Sequence, residues 1–150
     1  METVTTAGLV EAVALLERFF REEQFPLPAE GLESRVRQYL ELPGHAVFLA
    51  SVNARPIGVA TVATTFGLEY GWLAEMEDLY VLQEERRAGV GRALVEFAVR
   101  WSADRDCSAM IVTITPEGQA SHDLVGFYEH LGFSDRGRQL FELPMKRAEG

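Results

Sequence analysis

Apolar residues recur every three or four positions in four stretches of the chain, which is the spacing of one face of an α-helix. This spacing predicts helices over Ala7–Glu23, Leu32–Leu40, Val90–Trp101 and Asp123–Leu131. Prolines follow the first two stretches, at Pro26 and Pro43, and proline does not continue a helix. The predicted helices are amphipathic, so we expect their apolar faces to cover another layer of structure.

Between these helices, short runs rich in β-branched and aromatic residues predict β-strands. The strands are expected over His45–Val52, Ile57–Phe66, Leu73–Val81, Met110–Thr115 and Gln139–Met145. Turn residues at positions 53–56 join the first two strands into a hairpin. The order of elements predicts an α/β fold in which a mixed sheet is covered by about four helices. Since no repeat, linker or low-complexity stretch interrupts it, residues 1–150 are predicted to form a single domain.

The most specific pattern lies in residues 77–94, EDLYVLQEERRAGVGRAL, where a strand runs into a basic, glycine-bearing turn and then a helix. The first N–H groups of such a helix have no helical partner and favour an anion. Glycines let a phosphate approach the backbone, and arginines add positive charge. The predicted phosphate-binding residues are Arg86, Arg87, Ala88, Gly89, Val90, Gly91 and Arg92.

Two common phosphate-binding motifs do not fit this turn. A P-loop needs Lys and then Ser or Thr after its last glycine, whereas Gly91 is followed by Arg and Ala. A dinucleotide fingerprint needs a third glycine where this chain has Leu94. The spacing Arg86-x-x-Gly89-x-Gly91 instead resembles the pyrophosphate-binding signature of the GNAT superfamily of N-acetyltransferases.

Two further segments extend this resemblance. Leu79-Tyr80-Val81 is similar to the Leu-x-Val strand end that precedes the signature, and Gly126–Phe133 is similar to the apolar-Tyr-x-x-x-Gly-Phe pattern that follows it. The three segments span residues 79–133, a little over a third of the chain. The resemblance implies the GNAT fold. Its opening strand could lie only within Glu2–Thr6, so it is expected to be very short or absent.

The resemblance also implies acetyl-CoA as the co-substrate. The backbone of residues 79–81 would pair with its pantetheine arm, and the turn over residues 87–92 would hold its pyrophosphate. The asparagine that often contacts CoA in this family is absent, and Ser121 is its candidate substitute. Tyr128 matches the tyrosine that protonates the departing thiolate, with a role as a core aromatic residue as the alternative.

Acidic residues precede the glycine turn on the same predicted strand. In a regular strand Glu75 and Glu77 face one side and Asp78 the other, unless a β-bulge shifts the register. The run over residues 76–81 resembles that of diamine and polyamine acetyltransferases, whose acidic pair contacts the substrate amine. Glu77, then Asp78, then Glu75 are the candidates for the base and for substrate binding. The alternative is a solvated acidic pair at a strand end.

The net charge of −9 changes the expected partners. An acidic surface repels nucleic acid and attracts cations, so a small cationic amine is the expected substrate and nucleic acid is not an expected partner. An aminoglycoside antibiotic, whose acetylation would give resistance, is the first hypothesis and a diamine or polyamine the second. A protein or peptide amine and a non-catalytic acetyl-CoA-sensing module are the alternatives.

Several further expectations rest on what the sequence lacks. It has no apolar run long enough to span a membrane and no signal-peptide pattern, so no membrane partner and a cytoplasmic location are predicted. The single cysteine, Cys107, allows no internal disulfide. His45, His122 and His130 show no metal-ligand spacing, so no metal is predicted. The oligomeric state stays open, with a homodimer as one candidate.

Overall fold

A mixed β-sheet forms the centre of residues 1–113, the first of two compact units into which the chain divides. The computed structural model describes residues 1–146. Strands β1 to β4 are antiparallel in sequence order, and β5 pairs with β4 in parallel. The strands span Glu2–Thr3, His45–Val52, Arg55–Gly67, Gly71–Val81 and Ala109–Ile111.

The strands in the middle of the chain confirm the prediction with small changes at their ends. β2 covers the expected residues, while β3 and β4 each begin two residues early. The opening strand is present as β1, which is two residues long. β5 ends at Ile111 instead of Thr115, because it pairs only with Leu73–Glu75 of β4.

Three α-helices cover this sheet, and all three were predicted. They are α1 (Leu9–Glu22), α2 (Leu32–Glu41) and α3 (Val90–Ala103). Helix α1 packs against α2 and the sheet, and α3 packs against β2, β3 and β4. No helix within residues 1–146 is both long enough and apolar enough to cross a membrane.

Helices α1 and α3 lie on opposite faces of the sheet. Phe48 of β2 contacts aromatic rings of α3, while the ring of Tyr80 in β4 lies 5.6 Å from that of Phe19 in α1. The strand pairing places Phe48 on the same face as Leu79, the neighbour of Tyr80. Alternation therefore assigns each side chain of β4 either to the α3 face or to the α1 and α2 face.

The second unit begins at Ile114 and contains α4 (Pro116–His122) and α5 (Leu124–His130). Helix α5 confirms the helix predicted over residues 123–131. Helix α4 was not predicted, although its start carries a helix signal: Pro116 is its first residue, and Thr115 Oγ1 accepts a hydrogen bond of 3.0 Å from the Gly118 N–H. Residues 1–146 thus contain five α-helices, where about four were expected.

The strand predicted over Gln139–Met145 is wrong. These residues adopt no regular secondary structure, and the side chains of Leu140, Phe141, Leu143 and Met145 are all at least 79% exposed. Apolar content alone does not make a strand, because a strand also needs a partner for its backbone groups. No strand of residues 1–146 pairs with this segment, and Pro144 removes one of its N–H donors.

Candidate active site

The turn between β4 and α3 has the backbone geometry of an anion site. Arg87 has a φ of 66° and Gly89 a φ of 82°, so the chain reverses through two left-handed residues before the helix begins at Val90. No side chain caps the helix, and its first backbone bond runs from the Ala93 N–H to the Gly89 carbonyl. The N–H groups of residues 90–92 therefore remain available to a phosphate.

The three arginines of this turn differ in what they contact. Arg86 Nε donates to the Val81 carbonyl at 2.9 Å, and its Nη2 pairs with Glu22 at 2.7 Å. Arg92 pairs with Glu96 one helical turn away, at 2.8 Å. Arg87 is exposed and forms no ion pair with any of residues 1–146. Of the three, Arg87 has the side chain that is free to meet an anion without first giving up a partner.

Glu22, at the end of α1, connects that helix to the C-terminal end of β4. One of its carboxylate oxygens accepts from Arg86, and the other accepts from the Tyr80 hydroxyl at 3.0 Å. The Arg86 guanidinium also lies 5.5 Å from the centre of the Tyr80 ring. Burial and the bond to Glu22 raise the pKa of Tyr80. Through these contacts, the Arg86 side chain is held between α1 and β4.

Beyond Glu75, β4 continues past the last pairing with β5, so residues 76–81 have one edge with no strand partner among residues 1–146. The Leu82 N–H bonds to the Ile57 carbonyl of β3 at 2.9 Å. Because backbone groups alternate in direction along a strand, those of Leu79 and Val81 point to the open edge. An extended amide-containing chain could add there as a further strand.

A β-bulge interrupts β4 at the acidic residues. Asp78 pairs with Thr61 and Met76 with Val62, so Glu77 is the extra residue between them. Asp78 therefore lies on the α1 and α2 face with Tyr80, and the expectation that it faces away from Glu77 in a regular strand is wrong. The bulged alternative is confirmed. Glu75, Glu77 and Asp78 all lie on that face.

Two hydroxyl groups hold the acidic pair. The Tyr39 hydroxyl of α2 donates to Glu77 Oε1 at 2.9 Å, and the buried Thr61 Oγ1 of β3 donates to Asp78 Oδ2 at 2.5 Å. Burial, followed by the charge of Glu77, raises the pKa of Tyr39. The phenol therefore stays protonated and acts as a donor.

Burial is also the main cause of the pKa shifts among the carboxyls. It raises the pKa of Asp78, with the charge of Glu77 acting in the same direction and the bond from Thr61 opposing it. The pKa of Glu75 is raised by burial and then by Glu77. These side chains concentrate negative charge on one face of β4, where a cation would relieve the repulsion.

Three residues of this region, Tyr39, Thr61 and Glu22, were not among the candidates predicted from the sequence. Tyr39 and Thr61 lie 38 and 17 positions from the carboxylates that they hold, and Glu22 lies 64 positions from Arg86. Tyr39 falls in the stretch Leu32–Leu40, where its spacing fits the apolar face of the predicted helix. A hydroxyl on that face, together with an acidic pair on a strand, was the available signal, but only the fold brings the two together.

The second unit contains the other two candidate residues. Tyr128 on α5 is 8% exposed, and its ring packs edge-on against Phe127 and Phe133, with centroids 5.0 and 5.3 Å away. Burial raises the pKa of Tyr128 to about 12. Ser121 is exposed near the end of α4.

Comparison with known proteins gives a family match. The profile of the family described as "Acetyltransferase (GNAT) family" matches residues 12–133. Among curated proteins, glucosamine 6-phosphate N-acetyltransferase 1 of Oryza sativa subsp. japonica is 27% identical over 120 residues, covering 77% of this chain and 69% of that protein.

Solved structures are similar in fold. An integron cassette protein from the mobile metagenome of Cole Harbour Salt Marsh has a TM-score of 0.83 at 22% identity, covering 97% of this chain and 90% of its own. Aminoglycoside N-acetyltransferase AAC(6')-Iy in complex with CoA has a TM-score of 0.78 at 19% identity, covering 97% and 98%. An aminoglycoside acetyltransferase from an uncultured soil metagenomic sample, in complex with sisomicin, has a TM-score of 0.78 at 17% identity, covering 97% and 95%.

Proposed function

This chain belongs to the acetyltransferase (GNAT) family and is an acetyl-CoA-dependent N-acetyltransferase, and we propose that it acetylates a primary amine of a small polycation, with an aminoglycoside as the first candidate. The observation that carries the proposal is the acidic face of β4. Glu75, Glu77 and Asp78 lie together there, next to the strand edge that a thioester arm could extend.

The proposed acetyl-CoA site lies at the C-terminal end of β4. The backbone groups of Leu79 and the N–H of Val81 would hold the pantetheine amides on the open edge, since Arg86 already bonds to the Val81 carbonyl. The N–H groups at the start of α3 and the Arg87 guanidinium would hold the pyrophosphate. A left-handed glycine at the helix start supports this assignment, since it lets a phosphate approach without a Cβ in the way. Ser121 stays a candidate contact on the second unit.

The proposed amine site is at Glu77 and Asp78, which directly precede Leu79, the first residue proposed to bind the pantetheine arm. Glu77 is exposed and ordered by Tyr39, so it would accept hydrogen bonds from an ammonium group. An ammonium must lose a proton before its nitrogen can attack a carbonyl, and a carboxylate is a much weaker base than an amine. Glu77 would therefore orient the amine and pass its proton to water.

Tyr128 is the proposed partner of the leaving sulfur. Acetyl-CoA supplies a thioester, whose acetyl group passes to the amine nitrogen while the sulfur departs with the electron pair of the broken bond. With its pKa raised to about 12, the Tyr128 phenol is a weaker acid than a thiol, whose pKa is about 8.5. Tyr128 would therefore stabilise the thiolate by donating a hydrogen bond, and solvent would complete its protonation.

Two observations support a polycationic substrate. The net charge of −9 steers cations to the protein, and Glu75 and Glu77 on the same face can pair with more than one ammonium group. The structural neighbours that act on aminoglycosides share the fold, which makes this substrate class the first to test. For an antibiotic, loss of the acetylated ammonium charge would weaken binding to its target.

An amine panel followed by free-thiol release tests the proposal. The panel holds sisomicin, a linear polyamine, glucosamine 6-phosphate and a lysine-containing peptide. We expect kcat/KM to be highest for sisomicin, with the polyamine second. Highest turnover of glucosamine 6-phosphate would instead assign the activity named for the rice relative, and highest turnover of the peptide would assign protein acetylation. Either result would overturn the polycation proposal.

A further inference from the structure

Tyr39 connects helix α2 to the acidic residues of β4. Its hydroxyl donates to Glu77 Oε1 at 2.9 Å, and its ring packs edge-on against His45, with centroids 4.7 Å apart. His45 is the first residue of β2, so the phenol is held between a helix and the sheet. A ring restrained in this way offers its hydroxyl in one direction at a low entropic cost.

The two carboxylates of the bulge have different surroundings. Asp78 is largely buried, and the Thr61 hydroxyl already bonds to it. Glu77 is exposed, and Tyr39 bonds to one of its oxygens, whereas its Oε2 forms no hydrogen bond with residues 1–146. Of the pair, Glu77 is therefore the carboxylate that an incoming cation can reach.

An exposed glutamate samples several rotamers, and binding a ligand requires one of them. A hydrogen bond that already holds the carboxylate in that rotamer removes this cost before the ligand binds, which is preorganisation. We infer that Tyr39 is a positioning residue for the amine substrate, fixing Glu77 so that its free oxygen faces the incoming ammonium. The inference rests on the proposed amine site and assigns to that site a residue of a different helix.

The expected effect is on amine binding. Tyr39→Phe keeps the ring and its packing but removes the donor. We expect the KM for the amine to rise about 3- to 10-fold, the scale of one hydrogen bond, with a smaller change in kcat. The affinity for acetyl-CoA should stay within 2-fold or so of the parent, because Tyr39 does not touch the cofactor end of β4.

A double-mutant cycle separates positioning from a general structural role. The parent, Tyr39→Phe, Glu77→Ala and the double variant are compared by kcat/KM for the best amine of the panel, with thermal unfolding as the check on folding. If Tyr39 acts through Glu77, Tyr39→Phe should cost little once Glu77 is gone. Arg37→Gln, on the same helix but paired with Glu33, is the matched control and should leave kcat/KM unchanged.

Each result decides the inference. Additive losses in the cycle, or a loss in acetyl-CoA affinity equal to the loss in amine use, would show that Tyr39 supports the fold and does not act through Glu77. A parent enzyme that turns over only the peptide or glucosamine 6-phosphate overturns the polycation proposal. In that case a non-additive cycle with the active substrate still supports Tyr39 as the residue that positions Glu77.

Discussion

Two neighbouring regions of β4, its C-terminal end and the bulge at Glu77, are built from different parts of the chain. At the C-terminal end, a turn with left-handed Arg87 and Gly89 leads into α3, and the groups that would meet a phosphate are mainly backbone N–H groups. At the bulge, the groups that would meet an amine are side chains, held by hydroxyls from α2 and β3. One end depends on local conformation and the other on tertiary contacts.

This difference decides how each end responds to substitution. A backbone site tolerates changes of side chain but not changes that alter its φ and ψ angles. A side-chain site responds to replacement of single atoms, because Glu77 and Asp78 each accept a hydrogen bond from one particular hydroxyl group. Five substitutions can break or sharpen this comparison: four that change activity or binding, taken from the largest expected effect to the smallest, and one that changes stability.

Tyr128 lies on α5 and is part of neither region of β4. Since its proposed role is to donate a hydrogen bond to the leaving sulfur, its replacement should impair the chemical step and leave both proposed binding sites intact. Tyr128→Phe keeps the contacts with Phe127 and Phe133 and removes only the hydroxyl. Loss of one donor to a developing anion typically costs about 10²- to 10³-fold in rate. We expect that loss in the single-turnover rate of acetyl transfer, with the melting temperature and the acetyl-CoA affinity of the parent. A single-turnover rate within a few-fold of the parent would make Tyr128 a packing residue.

Glu77→Gln tests the side-chain end with a nearly isosteric change. Loss of a charge-assisted hydrogen bond to the amine should cost about 10- to 150-fold in kcat/KM. Acetyl-CoA binding, followed by calorimetry, should be unchanged. Glu33→Gln, an exposed carboxylate paired with Arg37 on α2, is the control and should retain full activity. If Asp78→Asn lowers amine use and Glu77→Gln does not, the assignment of Glu77 as the amine contact is wrong.

Gly89→Val tests the backbone end. The added Cβ would have no neighbour within 4 Å, so the strain comes from the φ of 82° alone. A left-handed conformation costs a residue with a Cβ about 1–2 kcal/mol, which corresponds to roughly 5- to 30-fold in affinity if the turn must hold that shape to bind phosphate. Calorimetry should show this rise in the acetyl-CoA dissociation constant of the folded variant.

Arg87→Asn provides the contrast at the same turn. Asparagine tolerates the left-handed conformation, so this change removes a charge and keeps the backbone. Because Arg87 is exposed, its contribution should be below about 5-fold in affinity, the scale of an exposed ion pair. A larger loss for Arg87→Asn than for Gly89→Val would mean that side-chain charge, not backbone geometry, dominates the cofactor end.

Asp78→Asn should change stability with pH. Burial raises the pKa of Asp78, so the folded protein binds the proton more tightly than the unfolded chain does. Ionised Asp78 therefore costs stability above its raised pKa, and the cost disappears below the unfolded pKa of about 3.9. We expect Asp78→Asn to melt at a higher temperature than the parent at pH 7, with the gap closing toward pH 4. A gap independent of pH would point to hydrogen bonding with Thr61 instead of charge.

Prediction from sequence succeeded where a short segment determines its own structure. The turn over residues 86–92 was recognised because a glycine and its neighbours set the local conformation. The bulge at Glu77 could only be offered as an alternative, since a bulge is a property of the pairing between β3 and β4. For Tyr39, the sequence predicted only its place in an amphipathic helix, because its hydroxyl bonds to Glu77 only when α2 packs on the sheet. The strand predicted over residues 139–145 failed for a related reason, since pairing is not encoded within one strand.

The bulge also determines which deletions and insertions β4 can accept without a change of register. Ala74 and Met76 before it, and Leu79 and Val81 after it, face α3 only when Glu77 is left out of the alternation. Loss of the codon for Glu77 would therefore leave both halves of the strand in phase, with the phosphate turn intact and the exposed carboxylate gone. Insertion of a glutamate codon at the same point would restore the carboxylate. In evolution, a lineage could thus gain or lose the exposed charge at this position in one event, without rebuilding the sheet.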